Sequence, residues 1–507
     1  MELTSIENIN PGSFVNGPLL ESPRSSRNLL RRQIGWSVDR AALVLYPVRM
    51  DGTMALSDNR SQRTLTLCAL YFAQGIPWGF MLITLPSYLA YNFKDIIGDD
   101  EIGTLKAIIL VPWSFKLIWA PIMDSFTIRS MGRRRPWIIG SELLMALTLL
   151  GMIGLGDLSQ QVQTLVWMYF IHNCFASLQD VCTDALAVDI LPPNEQGKMN
   201  GLMWGSKLVG KAGGAWVLSH VMSWAGIEAC VAIQVALLLL IMAVPLLILE
   251  RPGEKYLPWA ANKGIANPHK TSGNVRNPLA TLYETFQALS LPTLLLFVFF
   301  TLTKLIGSGV NEVAANTLYT QQLGWTDVEF STASGLYTMV PLLLATFLGG
   351  AVADLYGRRL VLCVGFGGLA LSAMLFASCS HLWTEGWFTL SYLLAYEVFN
   401  SIGSVGFLSM AMRISWSQSA ATVFTLYMTL SNVSHIVGNW LAGPVRSYCT
   451  RIAESNGLED RAADLYSYEL TFWFVGLVTL PTLLLLLRVR TDEVDAAKER
   501  ERNSEQS

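Results

Sequence analysis

The residues best suited to chemistry in this 507-residue chain are charged side chains set inside long apolar runs. An ionisable group in a membrane span costs about 3 kcal/mol even on the lenient insertion scale, so it faces a cavity or a partner. Asp180, Asp184 and Asp189 fall in one run, and Lys207 and Lys211 in the next. On a helix, positions four apart share a face, so Asp180 stands beside Asp184 and Lys207 beside Lys211. Counting from the run ends near Leu191 and Lys198, at a rise of about 1.5 Å per residue, puts Asp180 about 16 Å deep and Lys207 about 14 Å. The two are expected to interact near the midplane, as a proton relay or as a contact for a substrate anion. The alternative is a static ion pair that fixes helix register. Asp189 sits near the end of its run and reads equally as a boundary residue.

Lys116 needs a partner, and Asp124 or a carboxylate of the 180–189 segment could serve; Lys106 is nearer the opposite mouth and could snorkel. Further along, one run carries Lys304, Asn311, Glu312 and Asn316, and another carries Glu397 and Asn400. A carboxyl near the midplane is a candidate proton carrier, because an apolar surround favours its neutral form. Glu312 and Glu397 fit that role, with a hydrogen-bonded structural carboxyl as the alternative. His172 and His435 are weaker candidates. Gln74, Tyr71 and Trp78 lie in a run broken by Gly75, Pro77, Gly79 and Pro86. Proline removes an internal hydrogen bond, and broken helices commonly line transport cavities. Aromatic planes beside an amide suit a sugar or a nucleotide.

The elements that must position these groups are membrane spans. A helix needs about 20 apolar residues to cross the hydrocarbon. Twelve segments qualify: 65–91, 102–123, 136–155, 162–190, 198–222, 226–249, 291–319, 330–353, 359–379, 386–411, 418–444 and 469–488. The Pro-rich connection 250–290 follows the sixth and divides the chain into two halves, 65–249 and 291–488, with tails 1–64 and 489–507. The expected class is an all-α membrane protein of twelve transmembrane helices in two six-helix halves. Loops on the side of the N-terminus hold most of the Lys and Arg, whereas the other side holds Lys94, Arg446, Arg451 and Arg461. Positive loops stay inside, so both termini are expected in the cytoplasm. No secretory signal opens the chain, and the run from Leu65 should act as an uncleaved anchor; Met50 and Met54 are alternative starts.

Composition excludes other classes. Only 14% of residues are charged and 52% are hydrophobic, too little charge for a soluble surface. A net charge of −3 offers no field for nucleic acid. The seven cysteines form no CxxC pair and read as small core residues, and no zinc or haem spacing appears. No enzyme chemistry, cofactor or metal is expected. The expected partners are a small-molecule substrate, protons and the bilayer, and the chain is expected to act as a monomer in the cell (inner) membrane.

Two loops repeat a pattern. Between the eighth and ninth spans, Gly350 and Asp354 lead to Gly357-Arg358-Arg359. Between the second and third, Asp124 leads to Gly132-Arg133-Arg134-Arg135, with eight positions from Asp to Gly instead of three. A carboxylate at a helix end and an Arg pair beyond a glycine turn can tie helices together as a cytoplasmic gate. The pattern resembles the loop signature of major facilitator transporters, except that Leu355 stands where a basic residue is usual. Three segments look like AmpG-type muropeptide permeases and the related acetyl-CoA transporters: Tyr71 to Phe80 with Leu85 to Leu89; Pro112 to Asp124; and Gln179 to Leu191 running into Asn200 to Gly210. The resemblance implies import driven by a proton gradient. It leaves open amino-sugar peptides and coenzyme A esters. A non-transporting sensor, which has no use for paired gating loops, stands as the reading from another class.

Overall fold

The computed structural model describes residues 55–257, 291–415 and 420–494, apart from 127, 129, 155 and 157, with positions 496 and 499 beyond. Most of the expected linker, most of the N-terminal tail and both alternative start methionines lie outside the described residues.

Among the described residues, twelve helices cross the molecule. The first, α1 (Arg60–Asn92), is α-helical to Gly79, relaxes into a π turn at Phe80–Thr84 and resumes at Leu85. Pro77 cannot donate its backbone bond, and the wider turn follows directly behind it. The second, α2, comprises Asp99–Leu110, a 3-10 turn Val111–Phe115 set by Pro112, and Lys116–Ser125. Next come α3 (Arg135–Leu150) and α4 (Leu158–Ile190). The stretch Pro193–Leu247 is two helices, α5 (193–225) and α6 (227–247), parted at Gly226 with φ 76° and ψ −175°. That conformation is open only to glycine, so one residue replaces the loop between two spans.

In the second half, α7 (Pro292–Gln322) breaks at Lys304 and ends in another π turn, Leu318–Gln322. It is followed by α8 (327–356), with a π turn at Ala333–Tyr337, α9 (Arg358–Ser378) and α10 (Gly386–Ile414). Last are α11 (Ala420–Ser455) and α12 (Asp460–Arg488). These two reach beyond their apolar stretches, so Arg446, Arg451 and Arg461, expected in a loop, lie on helices.

Packing repeats with an offset of six helices. Helix α1 lies along α5 as α7 lies along α11, and α3 packs on α4 and α6 as α9 packs on α10 and α12. The α1–α5 approach is close: a Cβ at Gly75 would lie 2.3 Å from the Lys207 carbonyl, and one at Gly214 2.1 Å from that of Ile76. On α5, Gly210 and Gly214, four apart on one face, serve this contact. Gly201 and Gly205 meet only the side chains of Phe347 and Leu343. The buried apolar side chains form two clusters. One runs from Leu56 to Ile241 with Val313 and Ala442, and the other from Leu294 to Val494. Outward faces carry Leu240, Phe347, Leu348, Leu371 and Leu375, as a lipid-facing surface requires.

The halves meet along α2–α11 and α5–α8, again related by the offset. Their polar contacts gather toward the side of the α1–α2 loop. There Asp99 accepts from Thr317 (2.7 Å) and Tyr468 (3.3 Å) and pairs with Arg446 at 3.4 Å. Gln321 donates to the Ala90 and Ile97 carbonyls at 3.0 and 2.7 Å, and Asn316 donates to Ser87 at 2.8 Å.

Candidate functional site

Five helices of the first half bring a polar network into its apolar interior. Helix α4 supplies Asp180, which is 2% exposed. Lys116 of α2 lies 2.5 Å from its Oδ2, and Lys207 of α5 lies 3.4 Å from its Oδ1. The expected Asp180–Lys207 contact is present, and Asp180 is also the partner that Lys116 requires. Lys207 donates to Gln74 Oε1 at 3.0 Å, Gln74 Nε2 donates to Gln179 at 2.5 Å, and Gln179 donates to Glu142 at 3.2 Å. Tyr71 donates to Asp184, one turn from Asp180 on the same face. Asp184 is exposed, whereas Tyr71 is buried.

Aromatic rings surround the lysine. Lys207 Nζ stands 4.6 Å from the Trp113 ring centroid, 4.8 Å from Trp78 and 5.6 Å from Trp204. Trp78 and Trp113 meet edge to face at 4.6 Å. A cation held over ring faces gains attraction from their quadrupoles, more so where water is excluded. The close α1–α5 packing at Gly75 is what carries Gln74 and Trp78 onto Lys207.

A second cluster straddles the two halves. Glu312 of α7 lies 3.3 Å from Nε2 of His435 on α11 and 4.0 Å from Nζ of Lys106 on α2. Lys106 also donates to the Glu312 carbonyl at 3.2 Å and is 3% exposed, so it does not snorkel as expected. The loss of its own hydration leaves it dependent on that carboxylate. Glu397 of α10 lies within electrostatic range of Lys211, Glu312, His435 and Lys106. Lys211 lines a small cleft between α5 and α8 with Leu208, Ser334 and Thr338. The clusters draw on helices related by the offset of six: α1, α4 and α5 in one, α7, α10 and α11 in the other.

The candidate gate residues divide. Asp124 and Asp354 close their helices, but their side chains lie outside the described residues. Arg133 is exposed, whereas Arg134 is buried and pairs with Asp189 at 2.9 Å. Asp189, read as a possible boundary residue, thus ties α4 to the α2–α3 loop. Glu250 accepts from the Arg134 and Arg135 backbone N–H at 3.0 and 3.3 Å. Arg135 donates to the carbonyls of Leu246 and Lys255 at 2.7 and 2.8 Å. Glu254 accepts from the Arg251 N–H at 3.1 Å; burial first, then the nearby Glu250 charge, pushes its carboxyl up to about 7. In the second half, the turn at Gly357 places Arg358 against Ser409 at 2.7 Å and Arg359 against the Val489 carbonyl. Each set holds its own half together.

Sequence reasoning gave no site role to Glu142 and Asp99, nor to Gln179, Trp113 and Trp204, which it named only within the family-like segments. Glu142 carried a usable signal, being an ionisable residue in mid-span. Asp99 carried none, since it reads as an ordinary loop carboxylate.

The family model of the Major Facilitator Superfamily matches residues 67–439 and again 313–506. The anhydromuropeptide permease of Escherichia coli is 25% identical over 84% of this chain and 80% of its own. A Rickettsia conorii protein named as a transporter, AmpG 4, is 24% identical over 83% of this chain and 95% of its own. The crystal structure of a D-xylose-proton symporter superimposes with a TM-score of 0.63 at 12% identity, covering 85% of this chain and 97% of that one. Twelve helices in two offset-related halves, with matches that run through both, lead to one conclusion: this chain is a multi-pass membrane protein of the Major Facilitator Superfamily, a secondary transporter.

Proposed function

We propose that the protein is a proton-coupled importer of a polar organic solute of the muropeptide class, working by alternating access as a monomer. The observation that carries this reading is the cluster shared between the halves, where the carboxylate of Glu312 lies between a lysine of one half and a histidine of the other. A proton arriving there changes the attraction between the two bodies that must rock. The permease similarity, spread over most of the chain, supports the solute class. Residues 65–249 and 291–488 act as the two rocking halves, joined by the 250–290 linker between tails 1–64 and 489–507. Both termini lie in the cytoplasm and the membrane is the cell (inner) membrane, a reading supported by the basic loops and the bacterial relatives.

Toward the solute the site presents Asp184, which is exposed, and half-buried Trp78, with Tyr71 and Gln74 buried behind them in this state. A coenzyme A ester needs several free cations for its phosphates. Lys116 and Lys207 share Asp180, and Lys304 is enclosed against Phe407 and Phe366 at 4.0 and 5.2 Å, which weakens that reading. The test is uptake of a labelled anhydro-muropeptide into vesicles holding the protein, with and without an inward proton gradient. Gradient-dependent accumulation supports the proposal. Accumulation that ignores the gradient removes the proton, and none with folded protein removes the solute class and moves nucleotide esters forward.

A further inference from the structure

Among the described residues, Glu312 is a carboxylate at which ionisable groups of both halves meet, as Asp99 is on the side of the α1–α2 loop. Lys106 comes from α2 in the first half, whereas Glu312 and His435 come from α7 and α11 in the second. The other charged and titratable groups facing the carboxylate are Lys211 of α5 with Glu397 and Tyr396 of α10. Lys106 is 3% exposed, and Glu312 is its one carboxylate within ion-pair distance among the described residues. In this state its backbone is packed closely: a Cβ on Gly103, one turn away, would lie 2.3 Å from the Asn439 carbonyl of α11. On the far side, Gly309 of α7 is equally tight against Asn439 and Gly438. Helices α2, α7 and α11 thus pack closely around this one carboxylate in the state seen here.

We propose that Lys106 and His435 are positioning residues of the coupling step, Lys106 tying charged Glu312 to the first half while His435 holds its other oxygen. The step balances simply. A hydronium ion gives its proton to a Glu312 carboxylate oxygen and leaves as water, and Lys106 stays an ammonium without its counter-charge. A buried ammonium in that position is costly, so the α2–α11 seam must open to rehydrate it. Proton binding on one half is thereby felt by the other.

The inference rests on the proton-coupled reading, and a solute-free measurement separates the two. Spin labels at Lys94→Cys and Thr384→Cys, both exposed in loops on the side where the halves touch, report the gap between the halves. In the parent, the distance distribution should change with pH. In Lys106→Met and His435→Gln it should lose that dependence or move along the pH axis, and Lys106→Arg should restore it. In vesicles, Lys106→Met should accumulate the labelled anhydro-muropeptide about tenfold less under a gradient, yet keep counterflow at equal pH. A parent distribution that ignores pH overturns the proton-coupled reading itself. A parent that responds, with both variants responding identically, overturns the roles assigned to Lys106 and His435. So does a Lys106→Met protein that folds yet loses counterflow, because a merely structural lysine would behave that way.

Discussion

Asp99→Asn should open the molecule on the side of the α1–α2 loop. Asp99 and Arg446 are each 8% exposed, and their contact at 3.4 Å joins α2 to α11 across the halves. Removing one member of a buried ion pair costs about 3–5 kcal/mol, most of it from stranding the other. Asparagine keeps an acceptor for Thr317, and Arg446 keeps Asp464 at 3.4 Å and its stack on Tyr468 at 3.6 Å. The lower end therefore applies, and about 3 kcal/mol is roughly a hundredfold shift from closed to open. A thiol at Ser87 reports it, since Ser87 is fully buried against Asn316 and reacts only when the halves part. With Ser87→Cys as background, an impermeant maleimide should label the Asp99→Asn protein about a hundredfold faster, up to the limit set by the fully open state. Labelling of the seven native cysteines is subtracted using the chain without Ser87→Cys. Asp95→Asn, at an exposed position nearby, should change nothing. An unchanged rate in Asp99→Asn would refute the view that this pair holds the halves together.

Other expectations test the interior. Asp180→Asn strands Lys116 and Lys207 together, so it should cost about 3–5 kcal/mol in detergent melting. The triple change with Lys116→Met and Lys207→Met should recover much of that loss, and full additivity would argue against a coupled triad. Gly75→Ala should destabilise by about 1–3 kcal/mol because α1 must leave α5, whereas Gly213→Ala, with open space around it, should be neutral. Equal melting temperatures for the two would remove the close-packing argument. Glu254 supplies a pH signature outside the membrane. Its carboxyl titrates near 7 in the fold against an ordinary 4.5, so the folded protein holds this proton more tightly than the unfolded chain. The stability of the α2–α3 loop and the α6 end should be full below about 4.5 and decline as pH rises toward 7. Glu254→Gln should flatten the profile, as read by hydrogen exchange at residues 130–135; an unchanged profile would point to another group.

Depth and face were legible in the sequence, whereas neighbours were only partly so. Counting rise per residue brought Asp180 level with Lys207, because both helices could be measured from the same loop. It could not say that Lys116 comes to the same carboxylate, since the 3-10 turn at Val111–Phe115 resets the face that α2 presents. Lys106 was misjudged for a related reason. Its nearness to a helix end suggested an escape to water, but α11 and α7 cover that end. Glu312 and Glu397 could be named as polar positions within apolar runs, but His435 gained its place only through a helix far along the chain. The twelve spans and the division into halves followed from apolar length and one Pro-rich connection. The tight turn at Gly226 followed from neither, because a single residue in a rare conformation leaves almost no sequence trace.

The paired clusters have an electrical consequence. Lys116 and Lys207 stand against Asp180 and Asp184, and Lys106 and Lys211 against Glu312 and Glu397, so with Glu142, Lys304 and His435 uncharged these groups sum to zero. A charge carried through the full membrane potential gains or loses about 2.3 kcal/mol per 100 mV. An empty carrier whose buried groups cancel does no such work when it resets. In the proton-coupled cycle proposed above, voltage would then act on the loaded half, through the protons and whatever charge the solute brings, and the return stroke would run at a rate the potential does not set.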